Sequence, residues 1–334
     1  MKIDCFVHIL PPRYVEERAR RGGTRLGSSQ YAKYVAANRG LTDLDVRFRV
    51  MDQFNDVVQL LTIAGPNVES VAGPEDAAEL ARIANDELAA LVADYPDRFV
   101  GAVACLPMND IDAALREAER ALDDLGFRGV EIFTDIEGQP VDSPELMPLY
   151  EMMQSRDLPI LLHPRGTSST PDYAGEDRSR YLAFTNFGWP HASSVAMSRF
   201  AFGVFPAYPD LKVLTHHAGG MIPFFHKRIE LSWDFNRNLM GYGDDGAELD
   251  APPLDYYRRF YCDTAIQGNP AALMCAHDFF GPDRMLFATD APYDDRLGER
   301  LYEETIAAIE AMDITGAERK AIFSENARNL FSLP

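Results

Sequence analysis

Short runs of apolar, β-branched and aromatic residues alternate along this chain with longer amphipathic stretches. Helical periodicity is clearest in 74–95 and in 111–125, where small and apolar residues recur about every 3.6 positions. Eight runs have the length and composition of buried strands: residues 3–8, 57–62, 99–104, 129–133, 159–163, 212–217, 260–263 and 285–289. The pattern predicts strands that alternate with helices, which is typical of a parallel sheet.

Eight such units favour an α/β fold of the (β/α)₈ TIM-barrel class, which typically needs about 250 residues. We expect a single domain over residues 1–334, with loop and helix insertions at about 11–49 and 164–198 over the carboxyl-end mouth of the barrel. A doubly wound open sheet is the alternative. No glycine-rich phosphate-binding pattern follows the first strand, which argues against that alternative.

Charge and composition narrow the class of protein. Formal net charge is −20, from 52 acidic and 32 basic residues, so the surface repels phosphate backbones and we expect no nucleic-acid partner. No apolar run reaches the ~20 residues that span a bilayer, and no basic and apolar leader precedes the first strand. The four cysteines form no CxxC pair. These features predict a cytoplasmic enzyme without membrane attachment.

Histidines and one aspartate stand at the predicted strand ends, where the catalytic groups of a barrel lie. They are His8, His163 in "LLHPR", the pair His216 and His217 in "THHAGG", and Asp290 in "FATDAP". Imidazole and carboxylate ligands suit one divalent transition ion, with zinc the first choice and manganese possible. Asp290 could instead be a general base.

These segments resemble a known family. "MKIDCFVHILP", "LLHP", "THHAGGMIPF" and "FATDAP" are similar to the signature segments of the amidohydrolase superfamily. More narrowly they resemble its decarboxylase branch, typified by 2-amino-3-carboxymuconate-6-semialdehyde decarboxylase. "DVRFRVMDQF", "LGFRGVEIFTD" and "DRMLFATDAPY" follow the same branch in order, so the resemblance covers nearly the whole chain.

The resemblance implies roles for particular residues. His8, His163 and Asp290 match metal ligands, and His217, six residues before Pro223, matches the catalytic histidine. Strand alternation predicts that the neighbouring His216 points away from the site and has a structural role.

Further positions are implied to bind substrate. Arg47 matches an arginine that grips the substrate carboxylate, and Arg237 lies within about one residue of an arginine that reaches across a homodimer interface in the family. Arg165 is a second cation where the branch usually has an aromatic residue. Trp189, in the aromatic segment "FTNFGWPHASS", is a candidate wall for an aromatic ligand.

One departure from the family pattern concerns the first strand. Where the branch has His-x-His or Glu-x-His, this chain has Phe6 and His8, which alternation places on the same side. Cys5 is predicted to leave the opposite face and not to replace the ligand. Three outcomes stay open: a site of three protein ligands completed by water, a metal-free catalytic site in which Phe6 packs against the substrate, and an inactive or binding relative.

The expected function is therefore a carbon–carbon lyase that decarboxylates a small unsaturated or aromatic carboxylic acid without oxidation, in aromatic catabolism. A hydrolase or hydratase on the same scaffold is the alternative, with Asp290 or His217 activating water. A non-catalytic binding relative is the third hypothesis.

Overall fold

The structure is a computed structural model that describes residues 1–22, 28–165, 171–180, 183–240 and 249–333. The strands are β1 (Lys2–Ile9), β2 (Val57–Ile63), β3 (Phe99–Ala102), β4 (Ala104–Cys105), β5 (Val130–Phe133), β6 (Asp135–Ile136), β7 (Gln139–Pro140), β8 (Ile160–His163), β9 (Val213–Thr215), β10 (Tyr261–Asp263) and β11 (Met285–Leu286).

The α-helices are α1 (Pro12–Arg21), α2 (Ser28–Ala37), α3 (Leu44–Met51), α4 (Val68–Val71), α5 (Pro74–Asp94), α6 (Ile111–Asp123), α7 (Met147–Ser155), α8 (Trp189–Arg199), α9 (Ile222–Asn238), α10 (Pro253–Tyr257), α11 (Pro270–Phe280), α12 (Glu299–Glu310), α13 (Gly316–Lys320) and α14 (Asn326–Leu330). Short 3₁₀ turns include Arg39–Leu41 and His217–Gly219, and a π-helical turn spans Phe184–Gly188.

All pairings between the long strands are parallel. One sheet has the order β1-β2-β3 and a second the order β11-β10-β9-β8-β5-β4, while β6 and β7 form a separate antiparallel hairpin. β3 and β4 are one predicted strand interrupted at Val103, whose amide donates to the Leu61 carbonyl. The two sheets are therefore joined along this strand.

The segment after β11 closes the barrel against β1. The Cys5 amide donates to the Phe287 carbonyl, the Asp290 amide donates to the Phe6 carbonyl, and the His8 amide donates to the Ala291 carbonyl. The predicted eight-stranded barrel is confirmed, and the open-sheet alternative is wrong because the two edges of an open sheet stay apart.

The barrel interior has its own apolar cluster. Side chains such as Ile3, Leu60 and Leu214 fill it, and residues of α14 and Phe331 join them. Partly buried residues from strand beginnings, Val58 among them, pack on the same cluster. The C-terminal helix therefore covers the amino end of the barrel, and the carboxyl end is left for the polar side chains.

The predicted insertions contain helices. Residues 11–49 hold α1, α2 and most of α3, and the turn Arg39–Leu41 packs on Pro292 through Gly40. The second insertion, 164–198, includes positions 166–170 and 181–182, which lie outside the described residues. The part of it that the structure describes includes most of α8.

The described helices include none that is both long and apolar enough to cross a bilayer. The cytoplasmic location stays a prediction from the sequence.

Candidate active site

Four histidines and two aspartates meet at the carboxyl ends of the barrel strands. His8 lies near the end of β1, His163 ends β8, and Asp263 ends β10. His216 and His217 follow β9 directly, and Asp290 follows β11. His8 and His216 are fully buried, whereas the side chain of His217 is 12% exposed. The strand-end rule therefore brings distant parts of the chain to one place.

Asp290 is at the centre of this cluster. Its Oδ1 lies 3.2 Å from His8 Nε2 and 3.5 Å from His216 Nε2, and its Oδ2 lies 3.8 Å from His217 Nε2. Two groups have ligand atoms all within 4.8 Å of one another: His8, His163 and His216 form the first, and His216, His217 and Asp290 the second. The structure thus brings together His8, His163, His217 and Asp290, as the sequence predicts.

Hydrogen bonds orient three of the imidazole rings through Nδ1. His163 Nδ1 lies 2.7 Å from the Pro164 carbonyl, an acceptor, so this nitrogen carries the proton. Thr62 donates its hydroxyl to the Val7 carbonyl and lies 3.0 Å from His8 Nδ1, so it accepts from that ring. His216 Nδ1 is hydrogen-bonded to the Asp263 carboxylate. In each ring Nε2 is then the nitrogen that faces the site.

His216 contradicts the prediction that its side chain points away. β9 ends at Thr215, and the backbone then turns through left-handed conformations at His217 (φ 57°) and Ala218 (φ 53°). His216 itself stays extended (φ −84°, ψ 160°) and faces inward like Leu214, two residues earlier. The left-handed backbone of His217 turns the second imidazole inward as well, so both rings reach Asp290. Non-glycine residues with positive φ are uncommon and cluster at functional sites, and Asp290 (φ 64°) is another.

The first strand also departs from simple alternation. Asp4 pairs with Gln59 but Val7 pairs with Leu61, so β1 contains one extra residue, a β-bulge at Cys5 and Phe6. The predicted shared side of Phe6 and His8 is confirmed, with ring centroids 5.6 Å apart. The predicted opposite face of Cys5 is wrong, because the bulge puts Cys5 in the same inner apolar cluster as Phe6.

Phe6 is fully buried and packs on histidines. Its ring stacks on His216 with centroids 4.0 Å apart and an interplanar angle of 19°, and it contacts His163 at 5.7 Å. The ring of Phe6 therefore supports the imidazoles, and its contact with a substrate stays a prediction.

The pKa values of the clustered residues are shifted in different directions. Burial, reinforced by His8 and His216, lowers the pKa of His163 well below its usual value, and burial beside His216 lowers the pKa of His217. Burial also acts on His216, but Asp263 and Asp290 outweigh it and raise its pKa to about 10. Burial alone would raise the pKa of Asp290, but the adjacent imidazoles of His216, His217 and His8 hold it well below the ordinary range. Asp290 is thus an anion beside two histidines, His163 and His217, whose pKa values are lowered.

Arg47 is buried (4% exposed) beside the first strand. Its Nε donates to Gln59 Oε1 (2.7 Å), and its Nη1 donates to the carbonyls of His8 (2.9 Å) and Gly40 (3.2 Å). Within the described residues Nη2 is buried and has no hydrogen-bond partner. Most of the guanidinium is therefore engaged by the protein, and one nitrogen is left for another ligand.

The other predicted substrate residues lie at different depths. Arg165 is half-buried and forms an ion pair with Asp135, and its amide donates to Thr134 Oγ1. Trp189 stacks on His217, with centroids 5.9 Å apart and an interplanar angle of 12°. Arg237 is exposed and lies in the last turn of α9.

The sequence predicts a structural role for His216 and gives no role to Asp263 or to Thr62, the partner of His8. Both Asp263 and Thr62 stand at the end of a predicted strand, which is the signal that could have found them. Asp263 accepts from His216 and also, through Oδ1, from the amides of Ala218 and Ala265. It therefore fixes both the ring and the turn that follows β9.

The donor set fits a metal ion. His8 Nε2 and His216 Nε2 are buried without a hydrogen-bond partner in the part of the chain that the structure describes, and both face Asp290 Oδ1. Leaving such atoms unsatisfied costs about 1–3 kcal/mol each. Lone-pair nitrogens around a carboxylate oxygen form the kind of site that zinc or manganese occupies.

Comparison with known proteins places this geometry in a family. The amidohydrolase family matches residues 3–333, and the chain belongs to that family. The chain is similar to gamma-resorcylate decarboxylase from Polaromonas sp. (strain JS666 / ATCC BAA-500), with 32% identity over 297 residues that cover 86% of this chain and 87% of the relative.

Two further proteins are similar to this chain over most of its length. The chain is 27% identical over 334 residues to 2-amino-3-carboxymuconate-6-semialdehyde decarboxylase of Dictyostelium discoideum, covering 95% of this chain and 88% of that protein. A crystal structure of a dihydroxybenzoic acid decarboxylase from Polaromonas sp. JS666, with manganese and 2-nitroresorcinol bound, superposes with a TM-score of 0.79 at 28% identity, covering 99% of this chain and 96% of that one. These relatives are decarboxylases, which agrees with the predicted family and supports an enzymatic role.

Proposed function

We propose that this protein is a metal-dependent decarboxylase of a small aromatic carboxylic acid. The observation that carries the proposal is the convergence of His8, His163, His217 and Asp290 at the barrel mouth. Its support from comparison is the similarity to decarboxylases of dihydroxybenzoate and carboxymuconate compounds. The proposed reaction requires no oxidant.

Decarboxylation breaks the bond between the ring carbon and the carboxylate carbon. The electron pair of that bond stays on the ring carbon, carbon dioxide leaves, and a proton replaces it. His217 is the proposed proton carrier: its lowered pKa favours the neutral imidazole, which would take up a proton from solvent and pass it to the ring carbon, returning to the neutral state. Asp290, whose carboxylate lies 3.8 Å from His217 Nε2, would stabilise the imidazolium that forms between these two transfers.

A divalent ion at the histidine cluster would polarise substrate oxygens and bind the acid close to His217. Three imidazoles and a carboxylate suit zinc, and the similar structure from Polaromonas contains manganese. We therefore propose that either ion supports activity, with zinc the prediction from the ligand types.

Binding of the acid is proposed to use the arginine and aromatic side chains near the mouth. Arg47 would offer Nη2, the guanidinium nitrogen without a partner among the described residues, to the substrate carboxylate. Trp189, held parallel to His217 and packed on Phe184 with centroids 6.2 Å apart, would cover the aromatic ring. The positive charge of Arg165, at the rim of the barrel mouth, is proposed to attract the anionic substrate.

The test is release of carbon dioxide from a panel of hydroxybenzoates by full-length protein loaded with zinc or with manganese. We expect turnover of at least one acid, loss of turnover after chelation, and recovery when either ion is returned. His217→Asn should lower kcat by about 10²–10⁴-fold, the usual contribution of a general acid or base.

His191→Asn is the matched control, because His191 is an exposed histidine and the variant should keep wild-type turnover. Folded, metal-loaded protein that releases carbon dioxide from no acid would overturn the proposal. Products that gain the elements of water without carbon dioxide release would instead favour the hydrolase or hydratase alternative.

We also propose a homodimer formed through α9. Phe224, Leu231, Phe235 and Leu239 are 52–76% exposed and lie 7, 4 and 4 residues apart, which puts them on one stripe of the helix surface. Exposed apolar stripes of this kind mark contact surfaces between proteins. Arg237 lies beside the stripe, where the family resemblance expects an arginine at the interface.

A further inference from the structure

The first strand supplies a single imidazole. Residue 6 is Phe6, which has no ligand atom, so β1 offers only His8 to the cluster. Nevertheless three histidines have ligand nitrogens within 4.8 Å of one another, and the third is His216, from the end of β9. The number of imidazoles is therefore kept although one position on β1 is lost.

We propose that His216 supplies the metal ligand that position 6 lacks, so that His8, His163, His216 and Asp290 hold the ion. This inference rests on the proposed metal-dependent function and names the ligand set of that same site. It assigns adjacent histidines to different tasks: His216 to the ion and His217 to the substrate.

The first support is the environment of the His216 ring. Nδ1 is hydrogen-bonded to Asp263, and Asp263 Oδ1 accepts from the Ala218 amide at 2.9 Å. Nε2 is buried, has no hydrogen-bond partner in the described part of the chain, and lies 3.5 Å from Asp290 Oδ1. A carboxylate that orients a histidine through Nδ1 is the usual support of a metal-binding imidazole.

The second support is that His216 and His8 approach the same atom in the same way. His8 Nε2 is also buried without a partner among the residues described, 3.2 Å from Asp290 Oδ1. If neither Nε2 is protonated, two nitrogen lone pairs face one carboxylate oxygen, and a cation between them removes the repulsion. A bound metal ion provides that cation, and a proton on His216 is the competing explanation.

The third support is the position of Phe6. Its ring lies face to face with the His216 imidazole at 4.0 Å, and the β-bulge at Cys5 and Phe6 turns it into the barrel. Phe6 thus fills the space on β1 where a ligand would stand and packs against the ring that replaces it. We conclude that Phe6 at position 6 and metal binding by His216 depend on each other.

His217 is left for the reaction. Its backbone is left-handed, its ring stacks on Trp189, and its nearest carboxylate atom is Asp290 Oδ2 rather than Oδ1. The two rings of the His-His pair therefore use opposite oxygens of the same aspartate.

The experiment measures metal binding without substrate. Full-length protein is stripped with chelator, and zinc or manganese alone is titrated by calorimetry, with metal content checked after gel filtration. His216→Ala should raise the dissociation constant of the metal at least about 100-fold. Loss of a residue that only hydrogen-bonds a ligand usually costs less. His217→Ala, the adjacent matched control, should change it less than about threefold. Asp263→Asn should weaken it by about 10–100-fold.

Rescue supplies the decisive comparison. Phe6→His combined with His216→Ala should restore binding to within about tenfold of wild type, because the lost imidazole returns at the position where the family pattern has it. X-ray absorption of the cobalt- or zinc-loaded protein should count three imidazoles in wild type, two in His216→Ala and three in the double variant. Circular dichroism of each variant verifies folding.

Wild-type affinity in His216→Ala, or two imidazoles in the wild-type protein, would overturn the inference. These readouts are independent of turnover. A protein that decarboxylates acids but keeps its ion without His216 would refute the ligand assignment alone, whereas three-imidazole metal binding without any turnover would refute the proposed reaction alone.

Discussion

Arg47 carries its charge in a buried position, so its contacts matter more than those of a surface arginine. Burial lowers its pKa, which shows the cost of removing the guanidinium from water. The bonds from Nε to Gln59 and from Nη1 to the His8 carbonyl offset that cost. Arg47 therefore joins α3 to β1 and β2 while Nη2 stays available for a substrate.

We expect Arg47→Met to lower the free energy of unfolding by about 2–4 kcal/mol, because the acceptors on Gln59 and His8 lose a charged donor inside the protein. Urea denaturation in chelator measures this effect. Arg49→Met is the control from the same helix, and since Arg49 is exposed it should cost less than about 0.5 kcal/mol. Equal effects of the two variants would show that Arg47 has no structural role.

Most of the residues at the site could be predicted from the sequence. His8, His163, His217 and Asp290 were predictable, because each follows a run that reads as a buried strand. His216 was not, because alternation counted from His217 places His216 on the outer face, whereas it is His217 whose left-handed backbone departs from the strand. The "HH" pair itself was the available signal.

At the scale of elements, the seam between β1 and the segment after β11 closes the barrel around a buried carboxylate. Asp4 Oδ1 accepts from the amides of Thr289 (3.1 Å) and Phe6 (3.4 Å), and Oδ2 accepts from Thr289 Oγ1 (2.5 Å). Because Thr289 precedes Asp290, this carboxylate fixes the first and last strands at the point where both reach the site.

Asp4 should make stability depend on pH. Burial raises its pKa from 3.8 to about 7, although Thr289 and Tyr302 partly oppose the shift. The folded state therefore binds this proton more tightly than the unfolded state, so the stabilisation that Asp4 contributes is complete below about pH 4 and is lost as pH rises to about 7. In Asp4→Asn this loss is removed, and the variant should gain up to about 4 kcal/mol on wild type across that range.

The measurement is the difference between the unfolding free energies of wild type and Asp4→Asn from pH 4 to pH 8, in chelator. Taking the difference cancels the other buried acids, Glu69 and Glu131, whose pKa values burial raises to about 7 and about 8. Asp97→Asn, an exposed control, should give a flat difference. A flat curve for Asp4→Asn as well would refute the buried-charge account.

The strands could largely be predicted from the sequence, because strands that are covered on both faces consist of continuous apolar runs. The helix predicted at 74–95 is α5 (Pro74–Asp94), and that at 111–125 is α6 (Ile111–Asp123). The bulge in β1 was not predictable, since it is defined only by register against β2. The short extents of β9 and β11 reflect where pairing stops, which depends on neighbours that are distant in sequence.

At the scale of the whole molecule, charge and the apolar stripe on α9 act against each other. A formal charge of −20 on each chain opposes association, and the repulsion between separated surface charges is screened within about 8–10 Å at moderate salt. Burial of Phe224, Leu231, Phe235 and Leu239 favours association and does not depend on screening in the same way.

The proposed dimer should therefore tighten as salt is added. We expect the dissociation constant, measured by sedimentation equilibrium, to fall by about tenfold between low and moderate salt, or about 1.4 kcal/mol. Leu231→Glu should weaken the dimer by at least about 30-fold at any salt concentration, because it loses about 2 kcal/mol of apolar burial and adds charge. Asn55→Glu, which adds the same charge at an exposed position before β2, should change it only slightly. A dimer that weakens with salt, or that tolerates Leu231→Glu as well as Asn55→Glu, would mean that polar contacts on another surface join the two chains.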